Sequence, residues 1–476
     1  MSTSAGDAMD GALMARFAAI VGDAHALTGA DAAPYAAEPR GRYGGRAALV
    51  LRPGSVEEVS AILRLATATG TPIVPQGGNT GLVGGQMPDA SGREVVMSLS
   101  RLNRIRAFDL QSNTVTAEAG VILHDLRQAA DARDRLFPLA LASQGSCQIG
   151  GNLSSNAGGV GALAYGVARD LCLGLEVVLP TGEVLNDLRK LKKDNTGYDL
   201  KDLFIGAEGT LGVITAAVLK LYPKPKGREV AWVAVDDPQR ALALLERARS
   251  DAGPSLTAFE LMAARPLDFV LRHVPGTVAP LAGRSAWNVL MEVSSGRSAD
   301  DARGLIEHIL GAALDAGEIE DAALAATIAQ GDAFWALREA MSNAQKPEGG
   351  SIKHDISVPV AAIPDFIALA DKAVETVVAG ARPVCFGHMG DGNLHYNVSQ
   401  PAGADASAFL ARSRQMNDAV HAIVRNLDGS ISAEHGIGRM KRDELIATAQ
   451  PLATELMRRI KRAFDPAGIM NPNKVI

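Results

Sequence analysis

The sequence predicts an α+β fold that is divided into parts. The second part is expected to contain an antiparallel sheet with helices on one of its faces. Glycine-rich segments and short strands occupy the first half of the chain, and longer strands alternate with helices in the second half. The segment Pro-Lys-Pro-Lys-Gly at 223–227 separates these two patterns. We therefore predict a first domain over 1–226, a second over 227–430 and a C-terminal helical segment over 431–476.

In the first half, capping residues mark both ends of a predicted helix. Ser55 and Glu58 form a capping box, and Gly70 closes the helix. A short strand at 72–75 then leads into a glycine-rich loop at 76–85. Further elements expected in this half are strands at 112–120 and 175–180, a helix at 123–132 and a turn leading into a strand at 206–220.

The second half alternates between strand and helix patterns. We expect strands at 230–235, 286–293, 352–358, 384–389 and 394–398, and helices near 238–249, 302–316, 334–344 and 364–378. Two further helices are expected at 406–427 and 453–464. This order favours one sheet with helices on a single face.

Composition excludes several classes of protein. The 476 residues are 47% hydrophobic and 21% charged, which argues against disorder, and the net charge of −6 argues against a nucleic-acid partner. Three cysteines do not make a disulfide framework, and the uncharged stretch 136–168 holds too many glycines for a transmembrane helix. No signal peptide is visible, so we expect a cytoplasmic protein, with peripheral attachment to a membrane as the alternative.

Two glycine-rich segments in the first half predict a cofactor site. Five glycines within 77–85 directly follow a strand, where consecutive N–H groups can bind a diphosphate. The segment 136–168 adds small, uncharged contacts that suit a ring system and a sugar. The alternatives are elaborate surface loops or a nicotinamide cofactor, but the GxGxx[GA] match at 159–164 has no preceding strand and no acidic residue at the right distance.

A hairpin in the second half carries two histidines. Asp391-Gly392 between apolar segments predicts a two-residue type I′ turn. That register places His388 opposite His395 on one face, with Cβ atoms about 5 Å apart, and Asn397 projects from the same face.

Glu434 and His435 form a second cluster. Two imidazoles and one carboxylate match the protein ligands of catalytic zinc or another divalent metal, so Glu434 is the expected third ligand, and His435 remains free to act as a base. The alternative is that the histidine pair merely covers a hairpin.

The motifs PQGGNTG at 75–81, GGN at 150–152 and GAEGTLG at 206–212 resemble the FAD-binding half of the vanillyl-alcohol-oxidase-type flavoproteins. GHMGDGNLH at 387–395, SAEHGIG at 432–438 and the closing MNPNK resemble the branch that contains the D-2-hydroxy-acid dehydrogenases. No histidine lies between Val74 and Met87, so the resemblance implies non-covalent FAD. The cofactor-binding residues it implies are Pro75, Gln76, Gly77, Gly78, Asn79, Thr80, Gly81, Gly85, Gly145, Ser146, Gly150, Gly151, Asn152, Ser155, Asn156, Gly159, Gly161, Glu208, Gly209, Gly212, Ile214 and Asn471.

The same resemblance implies the chemistry. A divalent metal, zinc in the first instance, is held by His388, His395 and Glu434 beside the flavin, where it binds the carboxylate and hydroxyl oxygens of a small 2-hydroxy acid. His435 accepts the hydroxyl proton, and a hydride passes to flavin N5. Asn397 helps to orient the substrate.

Three further residues indicate which hydroxy acid is used. In D-2-hydroxyglutarate dehydrogenases an Arg, a Thr four residues later and a Lys fifteen residues after the Arg hold the distal carboxylate. Arg338 and Lys353 keep this spacing, and Ser342 replaces the Thr while retaining the hydroxyl. Burying such a pair is costly unless a second carboxylate binds. We therefore expect D-2-hydroxyglutarate as the substrate, with D-lactate or glycolate as the alternative. The other interpretation is that Arg338 and Lys353 are only surface charges.

The sequence leaves other choices open. The electron acceptor is expected to be an electron-transfer flavoprotein or a quinone, and a homodimer is one possible oligomeric state. A zinc hydrolase and a flavin subunit of a larger membrane-associated complex are the competing functions.

Overall fold

In the computed structural model, residues 9–38, 41 and 44–476 are described, and the chain divides into two compact units. The first unit comprises Met1–Gly158, Val167–Pro223 and Glu434–Ile476, and the second comprises Gly159–Gly166 and Lys224–Ala433. The chain therefore leaves the first unit twice and returns to it each time.

A four-stranded sheet begins the first unit. Its strands lie in the order Ala26–Leu27, Leu49–Leu51, Val95–Ser98 and Ile73–Gln76, and the last three are parallel. The helices Gly11–Val21 and Val56–Thr69 contribute Phe17 and Leu63 to its core. The predicted helix start and end are confirmed, because the Ser55 hydroxyl accepts the N–H of Glu58 and the helix ends at Gly70 with φ 64°. The second half of the capping box differs, since the Glu58 carboxylate accepts the N–H of Gly54 instead of that of Ser55.

An antiparallel five-stranded sheet completes the regular structure of the first unit. Its strands lie in the order Ile105–Asp109, Thr114–Glu118, Val213–Lys220, Cys172–Val178 and Val184–Asp187. Arg135–Leu136 pairs separately with Tyr222–Pro223. The other helices of the unit are Gly29–Ala32, Leu123–Asp131, Ile149–Ser154, Lys201–Phe204, Arg442–Thr448 and Pro451–Phe464.

The second unit is built on an antiparallel eight-stranded sheet. Seven strands lie in the order Asp321–Leu324, Gly227–Val235, Trp287–Ser295, Leu256–Ala263, Arg382–His388, Asn393–Ser399 and Ser351–Ile352, and Asp355–Ser357 also pairs with Asn393–Ser399. The single strand expected at 352–358 is thus interrupted at Lys353 and His354. The helices are Ala162–Tyr165, Pro238–Ala252, Ala264–His273, Ala299–Asp315, Ile328–Ala340, Ile363–Val377, Ala406–Leu410 and Ser413–Asn426.

Helices cover both faces of this sheet, rather than the single face expected from the element order. One core cluster takes Ala231 and Val233 from the strand Gly227–Val235 and packs them against Pro238–Ala252, Ala299–Asp315, Ile363–Val377 and Ser413–Asn426. A second cluster takes Val230 and Trp232 from the same strand, and Ala264–His273 and Ile328–Ala340 cover it. Neighbouring residues of a strand point to opposite faces, so both faces are buried.

Among the described residues, no helix has both the length and the apolar character needed to cross a membrane.

Candidate active site

Three glycine-containing segments of the first unit lie side by side: the first loop at 76–85, the second segment from 136 to 158 and the third at 206–212. A Cβ atom on Gly78 would lie 1.9 Å from the carbonyl oxygen of Ser146, so the first loop touches the second segment through bare backbone. A Cβ on Gly209 would lie 3.1 Å from Pro75, so the third segment also touches the first loop. The three motifs therefore form one cradle of backbone.

Asn471 links two of these segments from the C-terminal end of the chain. Its Nδ2 donates to the carbonyl oxygens of Gly85, at 2.8 Å, and Glu208, at 2.7 Å. Glu208 adopts a φ of 52°, which is strained for its side chain, whereas Asn79, at 55°, is a residue type that tolerates this conformation.

The cradle has features that fit a bound FAD. Gln148 Oε1 and Asn471 Oδ1 are buried and have no hydrogen-bond partner within the described structure. Ideal Cβ atoms built on Gly145 and Gly151 would meet nothing within 4 Å, so this part of the cradle is open. Buried polar atoms are normally satisfied, so these orphaned oxygens indicate a ligand with donors to offer.

The other predicted cofactor residues have varied environments. Gly150 packs so closely that a Cβ would lie 2.6 Å from Ala119 Cβ. Asn156 Oδ1 accepts the N–H of Arg169 at 3.0 Å, and Ile214 is buried in a strand. Gly77, Thr80 and Gly81 lie in the first loop. Ser155 directly follows the helix Ile149–Ser154, and Gly212 precedes the strand Val213–Lys220. Gly159 and Gly161 belong to the second unit.

Glu208 anchors the segment that carries Glu434 and His435. Its carboxylate accepts the N–H groups of Ile437, at 2.7 Å, and Gly438, at 2.9 Å. Burial raises the pKa of Glu208 to about 6, although the two N–H donors act in the opposite direction. A Cβ on Gly158 would lie 3.0 Å from Glu434 Oε1, so Glu434 also lies against the end of the second glycine segment.

The hairpin of the second unit differs from the predicted one. Phe386 pairs with His395 and His388 with Asn393, so residues 389–392 connect the strands instead of two residues. Within this connection only Gly392 has a positive φ, of 89°, whereas a type I′ turn needs one at both central residues. The predicted two-residue turn is therefore wrong.

Contacts with other elements explain the different turn. The N–H of Gly390 donates to the carbonyl oxygen of Phe259 at 3.2 Å, and Arg249 donates to the carbonyl oxygen of Gly390. These contacts come from a neighbouring strand and a helix, and hairpin statistics do not include them.

The two histidines stay on one face because the register differs from the predicted one by two residues. The ring centroids of His388 and His395 are 5.6 Å apart at an interplanar angle of 77°. Nδ1 of His395 lies 4.0 Å from Oδ1 of the buried Asp355. Asn397 follows His395 on the same strand and is buried.

The ligand types that bind divalent metals are therefore present. Ser430 exchanges two backbone hydrogen bonds with Ser357, two residues after Asp355, and Glu434 follows four residues later. Among the described residues, the possible metal ligands include Asp355 and His395 in the second unit and Glu434 and His435 in the first unit, but not His388. Imidazole and carboxylate donors suit zinc and several neighbouring metals.

Glu260 joins His388 to Arg338. One carboxylate oxygen lies 2.6 Å from Nδ1 of His388, and the other accepts from Nε of Arg338 at 2.6 Å. Burial raises the pKa of this glutamate, but the positive charges of Arg338 and His388 outweigh it and hold the pKa at about 2. The charge of the buried arginine is thus compensated inside the protein, which the sequence argument did not foresee.

The other two residues of the expected carboxylate clamp are neighbours. Lys353 is exposed, and its Nζ lies 3.4 Å from the carbonyl oxygen of Ser342 and 3.5 Å from Oε1 of Gln345. Ser342 follows the end of the helix Ile328–Ala340, which carries Arg338.

Comparison with known proteins identifies the family of this chain. Residues 47–187 match the model of an FAD binding domain, and residues 224–475 match that of FAD linked oxidases, C-terminal domain. The chain belongs to the family of FAD-linked oxidases. The resemblance drawn from the motifs is confirmed, and the zinc-hydrolase alternative is left without support.

Two relatives of this FAD-linked oxidase illustrate the match. The mitochondrial D-2-hydroxyglutarate dehydrogenase of Arabidopsis thaliana is 38% identical over 435 residues, which are 91% of this chain and 76% of the relative. The D-2-hydroxyglutarate dehydrogenase of Xanthomonas citri pv. viticola is 37% identical over 423 residues, which are 89% of this chain and 88% of the relative.

Solved structures share the fold of this FAD-linked oxidase. p-Cresol methylhydroxylase has a TM-score of 0.74 at 16% identity, covering 98% of this chain and 97% of its own. An alkyldihydroxyacetonephosphate synthase has the same TM-score at 17% identity, covering 100% of this chain and 86% of its own. At such identities the likeness shows the fold alone.

Sequence reasoning missed three candidate functional residues of this FAD-linked oxidase: Gln148 in the first unit, and Glu260 and Asp355 in the second unit. Glu260 stands alone as an acid in the apolar strand Leu256–Ala263, and that isolation was the available signal. Gln148 immediately precedes the helix Ile149–Ser154, and Asp355 interrupts a strand pattern, so neither stood out.

Proposed function

We propose that this FAD-linked oxidase oxidises D-2-hydroxyglutarate to 2-oxoglutarate with a divalent metal as a second cofactor. The observation that carries the proposal is the shared carboxylate of Glu260, which brings the candidate metal ligand His388 and the cationic Arg338 to the same small region of the second unit. A substrate with carboxylates at both ends suits such a pair of groups.

Arg338 is able to take a second carboxylate. Its Nη2 pairs with the Glu260 carboxylate at 2.6 Å, and because Nη2 carries two N–H groups, one of them is available to a second carboxylate. Ser342 and Lys353 are expected to assist it. Lactate and glycolate have no distal carboxylate to match these groups.

The remaining residues divide the work of the reaction. When bound, FAD accepts the hydride and the metal acts as a Lewis acid. His388, His395 and Glu434 are proposed to hold the metal, Asn397 to orient the substrate and His435 to accept the proton of its hydroxyl group. Oδ1 of Asp355 lies 4.0 Å from Nδ1 of His395, which is an ion-pair distance, and Asp355 is itself a possible metal ligand.

The electron acceptor and the location are part of the same proposal. An electron-transfer flavoprotein or a quinone is expected to reoxidise the flavin. The names of several relatives include the word mitochondrial, so a cytoplasmic location stays a prediction for this chain.

The test is anaerobic reduction of the flavin in the purified protein by D-2-hydroxyglutarate, D-malate, D-lactate and glycolate. We expect the visible flavin band to bleach most rapidly with D-2-hydroxyglutarate, and chelation of the metal to stop bleaching without releasing FAD. Arg338→Ala should raise KM for D-2-hydroxyglutarate at least tenfold more than KM for D-lactate, since the lost contact is worth roughly 1.5–3 kcal/mol.

A protein that D-lactate bleaches as fast as D-2-hydroxyglutarate would contradict the substrate assignment. Full turnover after complete removal of the metal would contradict the metal's role while leaving the flavin chemistry intact.

A further inference from the structure

Glu260 lies where an apolar residue would be expected. It belongs to the strand Leu256–Ala263 and is 1% exposed, on the face whose core also contains Met262 and Phe386. An ionised group in such a place is costly unless hydrogen bonds satisfy it. Its contacts therefore explain its presence.

The two oxygens of this carboxylate serve different elements. Oε1 contacts Nδ1 of His388 on the strand Arg382–His388, and Oε2 contacts Arg338 on the helix Ile328–Ala340. The Arg338 guanidinium also lies over the Phe386 ring, 4.9 Å from its centroid. One rigid group thus holds a strand residue and a helix residue at a fixed separation.

This contact also determines which ring nitrogen of His388 faces the carboxylate. Nδ1 lies 2.6 Å from Oε1 of Glu260, so the ring turns Nε2 away from this group. Nε2 is therefore the nitrogen that we assign to the metal, with Nδ1 held by the carboxylate.

We propose that Glu260 is a positioning residue that orients His388 for the metal and Arg338 for the distal carboxylate of the substrate, and so sets the distance between the two ends of the substrate that the enzyme accepts. The part concerning the substrate rests on the proposed function. The part concerning His388 rests on the metal site of the same proposal, but its test is separate, because metal affinity can be measured without turnover.

The first experiment compares Glu260→Gln with Glu292→Gln in the full-length protein. Glu292 is a matched control, because it lies on the neighbouring strand Trp287–Ser295 and also pairs with an arginine, accepting from Arg228 at 2.7 Å. It also accepts from Trp335 at 2.9 Å, and Trp335 lies on the helix Ile328–Ala340 that carries Arg338. Metal-free protein is titrated with Co²⁺, whose ligand-field absorption reports coordination at wavelengths longer than the flavin bands.

We expect Glu260→Gln to bind Co²⁺ about 10 to 100 times more weakly than the wild type and to keep its FAD. Glu292→Gln should bind Co²⁺ like the wild type. In turnover, Glu260→Gln should raise KM for D-2-hydroxyglutarate about tenfold more than KM for D-lactate.

Co²⁺ affinity and spectrum unchanged in Glu260→Gln would overturn the proposal, and so would equal losses in both variants. If Glu260→Gln does not fold, the double variant Glu260→Met/Arg338→Met decides, because apolar residues often replace a buried ion pair without loss of stability. The double variant should also bind Co²⁺ weakly, and wild-type affinity there would overturn the proposal. A wild type that no hydroxy acid reduces would contradict the proposed function, while the Co²⁺ comparison would still stand.

Discussion

Single acidic residues surrounded by cations organise much of the second unit. Glu348 is the fullest example, since it accepts from Arg272 and His273 at 2.7 Å and from Arg382 at 2.6 Å, with only 9% of its side chain exposed. Burial raises the pKa of Glu348, but the hydrogen bonds from these three groups outweigh it and lower the pKa to about 2. Its ionised form is therefore part of the folded state.

Glu348→Gln should lower the free energy of unfolding at pH 7 by about 2 kcal/mol, a figure discounted for solvent screening. A group with a depressed folded-state pKa stabilises above its unfolded pKa, here 4.5, and this stabilisation is lost as the pH falls towards 2. The difference between wild type and variant should therefore shrink over that range. Urea unfolding at a series of pH values measures it.

The control for Glu348→Gln is Glu246→Gln, an exposed glutamate on the helix Pro238–Ala252 that should leave stability within about 0.5 kcal/mol. A destabilisation by Glu348→Gln that is the same at pH 7 and pH 3 would show that lost packing, rather than charge, is responsible.

At the scale of elements, the glycine segments act through the space they leave. Gly78 allows the first loop to approach Ser146 and Cys147, whose backbone atoms would be 1.9–3.0 Å from an added Cβ. Those atoms belong to backbone and cannot swing aside as a side-chain end can. The cradle therefore depends on bare backbone at this position.

We expect Gly78→Ala to separate the first loop from the second segment, and so to purify with less than a tenth of the wild-type FAD and a lower Tm. Flavin absorbance per protein and a thermal melt measure the two effects. Gly311→Ala, in the exposed interior of the helix Ala299–Asp315, is the matched control, where a Cβ meets nothing and alanine should stabilise by about 0.5–1 kcal/mol. Normal FAD content in Gly78→Ala would contradict the cradle.

The whole molecule depends on the chain returning to its first unit. Ile469 and Met470 are buried in the core of that unit, and Ile73 exchanges backbone hydrogen bonds of 2.8 Å with Ile469 and Asn471. The residues near the C-terminus thus extend the four-stranded sheet and reach the cradle through Asn471.

Deletion of residues 469–476 should unfold the first unit. Losing two buried apolar side chains costs about 2–3 kcal/mol each, which together approaches the total stability of a typical domain. Limited proteolysis should then degrade the first unit, while a fragment of the second unit persists, and FAD should be absent. The control is Asn473→Gly, at an exposed position with φ 61°. This variant should keep its FAD and the protease resistance of its first unit. A truncated protein with full FAD content would contradict this dependence.

By itself the sequence determined the fold class, the family, the glycine segments and the histidine motifs, because turn-forming glycines, helix caps and strand alternation are local properties of a few neighbouring residues. Only the tertiary structure decided the hairpin register, the second layer of helices and the compensation of Arg338. Glu260 and His388 are 128 positions apart, and a contact over that distance depends on how the strands pair, which local pattern does not report.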